Sequence, residues 1–145
     1  MEKTYLCAQE LLSESFKLAM SVYESGYRPD YIVGVWRGGA PIGIAVQELL
    51  NLLGVKSDHI AIRTSSYEAI GQRGKQVTVH GLTYLIKRLH SEDKLLIVDD
   101  VFDTGRSIEA ILDELKMRTR LNMPHDIRVA VPYYKPSRNQ TGRVP

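Results

Sequence analysis

The stretch LLIVDDVFDTGRS, Leu95 to Ser107, gathers three carboxylates, two hydroxyls and a glycine within thirteen consecutive positions. Its apolar start reads as a buried strand, and its end reads as the first turn of a helix. In an open parallel sheet, ligands bind beyond the carboxyl ends of the strands, which is where such a segment sits. Thr104, Gly105, Arg106 and Ser107 offer backbone N–H groups, two hydroxyls and the positive end of a helix, the makings of a phosphate cradle. Gly105 lets an anion approach the backbone closely, so a valine at 105 is expected to weaken anion binding and leave the fold largely intact. Asp99 and Asp100 repel phosphate but accept hydrogen bonds from sugar hydroxyls. They can also hold Mg²⁺ through water, because Mg²⁺ prefers oxygen ligands and keeps part of its hydration. The segment thus describes a ligand with a phosphate at one end, a cis-diol in the middle and a metal nearby. The plain alternative is an acidic strand end running into a helix capped by Asp103 or Thr104, which calls for fewer of these groups.

A second anion-binding candidate is Arg37-Gly38-Gly39, directly after the apolar run Tyr31 to Trp36. Glycines at a strand's carboxyl end bring backbone N–H groups to an oxyanion, and Arg37 supplies charge. An ordinary tight turn with an exposed arginine is the competing reading. The four histidines, His59, His80, His90 and His125, share no metal-ligand spacing with one another or with Cys7. Cys7 reads as a small buried hydrophobe, Trp36 as packing at a strand end, and Lys87 and Arg88 as a solvated helix face.

The elements that must position these groups can be read from periodicity. Leu11, Leu12, Phe16, Ala19 and Tyr23 recur at helical spacing, so about Ala8 to Ser25 is an amphipathic helix ended by Gly26. Tyr31 to Trp36 is a strand. A helix begins near Pro41, shows Ile42, Ala45, Leu49 and Leu53 as its inner face, and stops at Gly54. His59 to Ile62 and Gln76 to His80 are short strands. Between them Arg63 to Lys75 is polar and aperiodic, with Gly71 and Gly74, and reads as a long mobile flap. Leu82 to Leu89 is a short helix, Lys94 to Val98 the clearest buried strand, Ser107 to Met117 a helix, and Ile127 to Val131 a last strand. Strands alternating with helices imply an α/β fold: one domain over 1–145 with a twisted, mainly parallel sheet flanked by helices. The abrupt ending at Pro145 suggests that a C-terminal segment is absent.

Composition narrows the function classes. The chain has 145 residues, 43% hydrophobic and 25% charged, with a formal net charge of +2. That profile fits a globular domain and excludes a disordered one. The basic residues are scattered, which argues against a nucleic-acid footprint. One cysteine cannot form an intrachain disulfide, and there is no signal-peptide pattern or membrane-length apolar run. A cytoplasmic location follows as the expectation.

LLIVDDVFDTGRS resembles the phosphoribosyl-pyrophosphate motif of the type I phosphoribosyltransferases: an apolar run, two acids, two variable residues, then Asp-Thr-Gly and a hydroxyl residue. Other landmarks fall in the family's order over nearly the whole chain. Arg37-Gly38-Gly39 resembles the pyrophosphate loop. Ser65-Ser66-Tyr67 resembles the Ser-Tyr pair of the flexible catalytic loop in hypoxanthine-guanine enzymes. Lys135 resembles the lysine that reads the exocyclic oxygen of a 6-oxopurine. The family's C-terminal hood has no counterpart here.

The resemblance implies transfer of a phosphoribosyl group from 5-phosphoribosyl-1-pyrophosphate (PRPP) to a purine base in purine salvage, with Mg²⁺ and with a homodimer or tetramer. It implies PRPP binding by Arg37, Gly38, Asp99, Asp100, Thr104, Gly105, Arg106 and Ser107. Metal contacts would come from Asp99 and Asp100 through water, and base recognition from Lys135. Catalytic roles fall to Asp103, Ser66 and Tyr67, with Asp103 managing the base's proton. Two rivals stand beside this reading: a regulator that binds the same ligand or a nucleotide, and an enzyme acting on orotate, uracil or adenine.

Overall fold

The computed structural model describes residues 7–68, 75–102 and 105–134, with side chains described for these apart from 66–68 and 75–77. Helix α1 (Ala8–Glu24) leads into strand β1 (Tyr31–Trp36), helix α2 (Gly39–Leu52) and strand β2 (Asp58–Glu68). Strand β3 (Lys75–His80), the one-turn helix α3 (Thr83–Ile86) and strand β4 (Lys94–Val98) follow. The chain continues through β5 (Val101–Phe102), α4 (Arg106–Thr119), β6 (Asp126–Ala130) and β7 (Tyr133–Tyr134). The main sheet has the order β3-β2-β1-β4-β6, and β5 and β7 form a separate parallel pair. All pairings in the main sheet are parallel except β2 with β3.

Alternate residues of the central strands feed two cores, as expected for a sheet covered on both faces. Val33 and Val35 of β1 join Leu95 and Ile97 of β4 and pack with Leu85, Ile108, Ile111 and Leu115 on the α3/α4 side. Ile32, Leu96 and Val98 point the other way and meet Ala19, Ile42, Val46 and Leu50 on the α1/α2 side. β1 therefore exits to a helix on one face and its neighbour β4 to a helix on the opposite face. The gap between their carboxyl ends is the topological switch point of the sheet, the place where open α/β sheets hold ligands.

The structure departs from the periodicity reading in several places. β2 runs on to Glu68, and Arg63 through Glu68 pair antiparallel with Lys75 through His80. Residues 63–68 of the expected flap are thus strand. Their pattern was hidden because strand identity here comes from the partner rather than from one buried face. Residues 69–74 lie outside those described. Cys7 is exposed, not buried: it is the N-cap of α1, its Sγ accepting from the Glu10 N–H at 3.4 Å. Trp36, expected as packing at the strand end, is 50% exposed. The inner side of α2 is Ile42, Ala45, Val46 and Leu50, with the expected Leu49 partly buried against the same core and Leu53 past the helix end as its C-cap. Leu12 and Phe16 of α1 are likewise exposed. No helix among the described residues is long and apolar enough to cross a membrane.

Candidate active site

Three segments converge on the switch point. β1 delivers Arg37 and Gly38, both exposed, and the backbone between Trp36 and Arg37 is cis. α2 begins there with Gly38 as N-cap and no side-chain cap. β4 delivers Asp99 and Asp100. The two loops touch so closely that side chains are barred. A Cβ on Gly38 would lie 2.6 Å from the Asp100 Cγ, and one on Gly39 would lie 2.5 Å from the Val98 carbonyl oxygen and 2.9 Å from the Asp99 Cα. Both are nearer than packed carbon atoms tolerate. Gly38 thus rests under the Asp100 carboxylate, and Gly39 is wedged against the β4 backbone. The sequence reading gave the contact role to Gly38 and overlooked the packing role of Gly39, whose one signal was the glycine doublet itself.

Asp99 and Asp100 are partly buried. The Asp100 N–H donates to Asp99 Oδ1 at 2.8 Å, and the Val101 N–H donates to Asp100 Oδ1 at 2.9 Å. Burial, then a hydrogen bond that the protonated Asp99 carboxyl donates to the Asp100 carboxyl, push Asp99 up to about 8, against the pull of the Asp100 N–H. Desolvation disfavours the charged form, and a second carboxyl adds to it. The raised value favours a proton on Asp99, which lowers the negative charge beside the two segments proposed to bind anions.

Beyond the pair lies a cavity of about 200 Å³ lined by Asp99, Asp100, Val101, Phe102, Gly105, Arg106, Ser107 and Ile108. One wall is the start of α4. Its N-cap Gly105 has φ +82° and no side-chain cap, so the first N–H groups of the helix face the cavity with the positive end of the dipole. The same φ revises the expectation for a valine at 105. A left-handed backbone strains any L side chain, by about 1–2 kcal/mol, so the substitution perturbs the helix start as well as the anion. The Ser107 hydroxyl also meets Thr64 of β2, whose Oγ1 donates toward Ser107 Oγ at 3.5 Å. Nothing in the sequence marks Thr64.

The structure therefore brings together Arg37, Gly38, Asp99, Asp100, Gly105, Arg106 and Ser107. Asp103, Thr104 and Lys135 lie outside the described residues. β5 and β7, the parallel pair that directly precedes Asp103 and Lys135, align Phe102 with Tyr134. Their rings make an edge contact at 5.4 Å. Ser66 and Tyr67 sit in β2 opposite Val77 and Gln76, and their side chains are not described. Among the described residues no group of three or more His, Cys, Asp or Glu side chains could hold a metal. The Asp99–Asp100 pair alone fits an ion that arrives with a polyphosphate and keeps its own water, as Mg²⁺ does.

Residues 3–142 match the family model of the phosphoribosyl transferase domain. The chain belongs to that family. The phosphoribosyltransferase is similar to the purine phosphoribosyltransferase of Pyrococcus horikoshii at 28% identity and TM-score 0.73, over 100% of this chain and 84% of that one. It resembles the xanthine-guanine-hypoxanthine phosphoribosyltransferase of Helicobacter pylori at 23% identity and TM-score 0.65, over 90% of this chain and 77% of that one. The adenine phosphoribosyltransferase of Saccharomyces cerevisiae shares the fold at 18% identity and TM-score 0.62, over 94% and 74%. No curated protein matches the sequence. The family match makes the chain a phosphoribosyltransferase, and the neighbours share its fold.

Proposed function

We propose that this phosphoribosyltransferase transfers the 5-phosphoribosyl group of PRPP to a 6-oxopurine, hypoxanthine, guanine or xanthine, releasing pyrophosphate in purine salvage. The observation that carries the reading is the switch-point crevice, where the Arg37-Gly38 loop closes on Asp99 and Asp100 and the uncapped start of α4 lies beyond. Those three parts match the three parts of PRPP in order: pyrophosphate, ribose diol and 5-phosphate. Lys135 and the Ser66-Tyr67 pair, through their resemblance to hypoxanthine-guanine enzymes, favour the 6-oxopurine over adenine.

Each residue has a stated task. Arg37 and the N–H groups at Gly38 and Gly39 neutralise the leaving pyrophosphate, the charge that grows as the C1–O bond breaks. Asp99 and Asp100 accept hydrogen bonds from the ribose hydroxyls and hold the sugar while C1 passes between leaving group and base. Thr104, Gly105, Arg106 and Ser107 anchor the 5-phosphate. Asp103 takes the proton from the attacking ring nitrogen of the purine, and Ser66 and Tyr67 cover the reacting centre from water. Asp99 and Asp100 would hold Mg²⁺ through water, and the ion would supply positive charge for the pyrophosphate.

The test is pyrophosphate release from PRPP with a panel of hypoxanthine, guanine, xanthine, adenine, uracil and orotate. Release with at least one 6-oxopurine, and little with the other bases, is expected. Release driven by adenine, uracil or orotate alone would overturn the base assignment. PRPP binding without release on any base would favour a regulator that uses the same crevice.

A further inference from the structure

We infer that Thr64 is a positioning residue for the 5-phosphate cradle, acting through Ser107 and tying strand β2 to phosphate occupancy. The inference rests on the cradle reading of α4 given above. Its starting point is the contact across two elements far apart in sequence: Thr64 Oγ1 donates toward Ser107 Oγ at 3.5 Å. Both hydroxyls are partly buried, so water competes for them less than at an open surface. Thr64 lies on the α4 side of the sheet, on the same face of β2 as the fully buried Ile62, and β3 packs against α4 beside it.

A hydroxyl that accepts a hydrogen bond still has its own proton to give. Ser107, in the first turn of α4, can therefore accept from Thr64 and donate to a phosphate oxygen at the same time. Hydrogen bonds in such a chain polarise one another, so each strengthens the next. The separation of 3.5 Å is longer than the ordinary hydroxyl–hydroxyl distance of about 2.8 Å. A phosphate that draws the Ser107 proton makes its oxygen a better acceptor and shortens the Thr64 contact. Thr64 thereby fixes the Ser107 rotamer that donates to phosphate, and phosphate in turn stiffens β2. That strand continues in register with β3 through Ser66 and Tyr67, so Thr64 and the positions with proposed catalytic roles share one element.

The experiment is a double-mutant cycle on the full chain with Thr64→Val, Thr64→Ser, Ser107→Ala and Thr64→Val/Ser107→Ala. The readouts are the dissociation constant for ribose 5-phosphate, KM for PRPP, kcat and thermal stability. Thr64→Val is nearly isosteric and is expected to raise the dissociation constant and KM by about 2- to 10-fold, the worth of one neutral hydrogen bond. kcat should stay within about twofold, since the interaction is made in the ground state as well as the transition state. Thr64→Ser keeps the hydroxyl and is expected to restore the parent values. The double variant should bind no worse than Ser107→Ala alone. If the double variant shows the product of the two single effects, or if Thr64→Ser is as weak as Thr64→Val, the chain of hydroxyls is refuted while the cradle stands. If Ser107→Ala alone leaves ribose 5-phosphate binding unchanged, the cradle reading itself fails and takes Thr64 with it.

Discussion

Gly39→Ala is the sharpest probe of how the crevice is built. A methyl group there would meet the Val98 carbonyl oxygen at 2.5 Å and the Asp99 Cα at 2.9 Å, against the 3.4 Å at which ordinary contact begins. Separation must grow by 3.4 − 2.5 = 0.9 Å at the oxygen and 3.4 − 2.9 = 0.5 Å at the carbon. Neither obstacle can swing aside, because both belong to the backbone at the end of β4. Val98 is paired with Gly34 on one side and Ala130 on the other, and the Asp99 N–H donates to the Ala130 carbonyl at 3.3 Å. The helix start must yield instead, carrying Arg37 and Gly38 away from Asp100. Overpacking of this kind costs about 1–3 kcal/mol. At roughly 4 °C per kcal/mol for a chain of this size, Tm falls by about 4–12 °C. Misplacement of binding groups by close to 1 Å costs turnover about 100-fold. Gly54→Ala is the control: its φ is +89° and a Cβ there has nothing within 4 Å, so it is expected to lose about 1–2 kcal/mol from backbone strain and no catalytic efficiency. Differential scanning fluorimetry and steady-state pyrophosphate release measure both. If Gly39→Ala retains the parent's Tm and PRPP kinetics, the close approach of α2 to β4 is wrong and the placement of the pyrophosphate loop goes with it.

Three further outcomes follow from the same geometry. Asp99, raised from 3.8 to about 8, binds a proton in the folded protein that the unfolded chain releases, so its contribution to stability falls as pH rises from about 4 to about 8. Asp99→Asn, which mimics the protonated form, is expected to flatten that part of the stability profile in the presence of chelator and to lower turnover; an unchanged pH slope in denaturant melts would count against the buried-carboxyl account. His59, on β2, has a buried Nε2 without a hydrogen-bond partner among the described residues and is held below its ordinary value of 6.5 by burial. Its stabilising contribution is present above about pH 6.5 and lost on acidification, because the unfolded chain takes up the proton first. His59→Leu should shrink the loss of denaturant midpoint between pH 7.5 and 5.5, and equal losses in parent and variant would refute it. Asp103→Asn is expected to leave PRPP affinity nearly intact and cut turnover by about 100-fold or more, checked by calorimetry beside steady-state kinetics; normal turnover would remove Asp103 from the mechanism.

What could be read from the sequence, and what could not, divides along a physical line. β1 and β4 were legible because a strand buried on both faces needs an unbroken apolar run, and Tyr31–Trp36 and Lys94–Val98 supply it. The acidic pair and Gly105 were legible because local chemistry, a strand end meeting a helix start, already defines an anion site. Illegible were the features that depend on a second segment. Residues 63–68 are strand because 75–80 lie beside them, and their own pattern of polar side chains carries no period. The inner face of α2 turned on which of Val46, Leu49, Leu50 and Leu53 meets α1 and the sheet, a choice that four apolar residues in one helix leave open. Cys7 was misjudged because its position one residue ahead of α1 outweighs its usual preference for the interior.

The same line runs through the crevice and bears on how it works. Each part proposed to face phosphate is a backbone feature that depends on the absence of a side chain: Gly38 under the Asp100 carboxylate, Gly39 against the Val98 backbone, Gly105 turning left-handed into α4. Backbone N–H groups held by helices and a five-stranded sheet need little reorganisation when charge arrives, which is the condition for electrostatic stabilisation to be worth most. The carboxyl pair between them is the opposite case. Asp99 is held in its costly environment by burial and by Asp100, and it becomes favourable when hydroxyls or a cation replace the lost water. A site preorganised at its two anionic ends and under-satisfied in its middle selects a ligand that supplies both at once. A bare phosphate would meet the ends alone and a sugar the middle alone, so under the proposed roles the ligand that meets every group is a phosphorylated ribose carrying a second anionic group, as PRPP does.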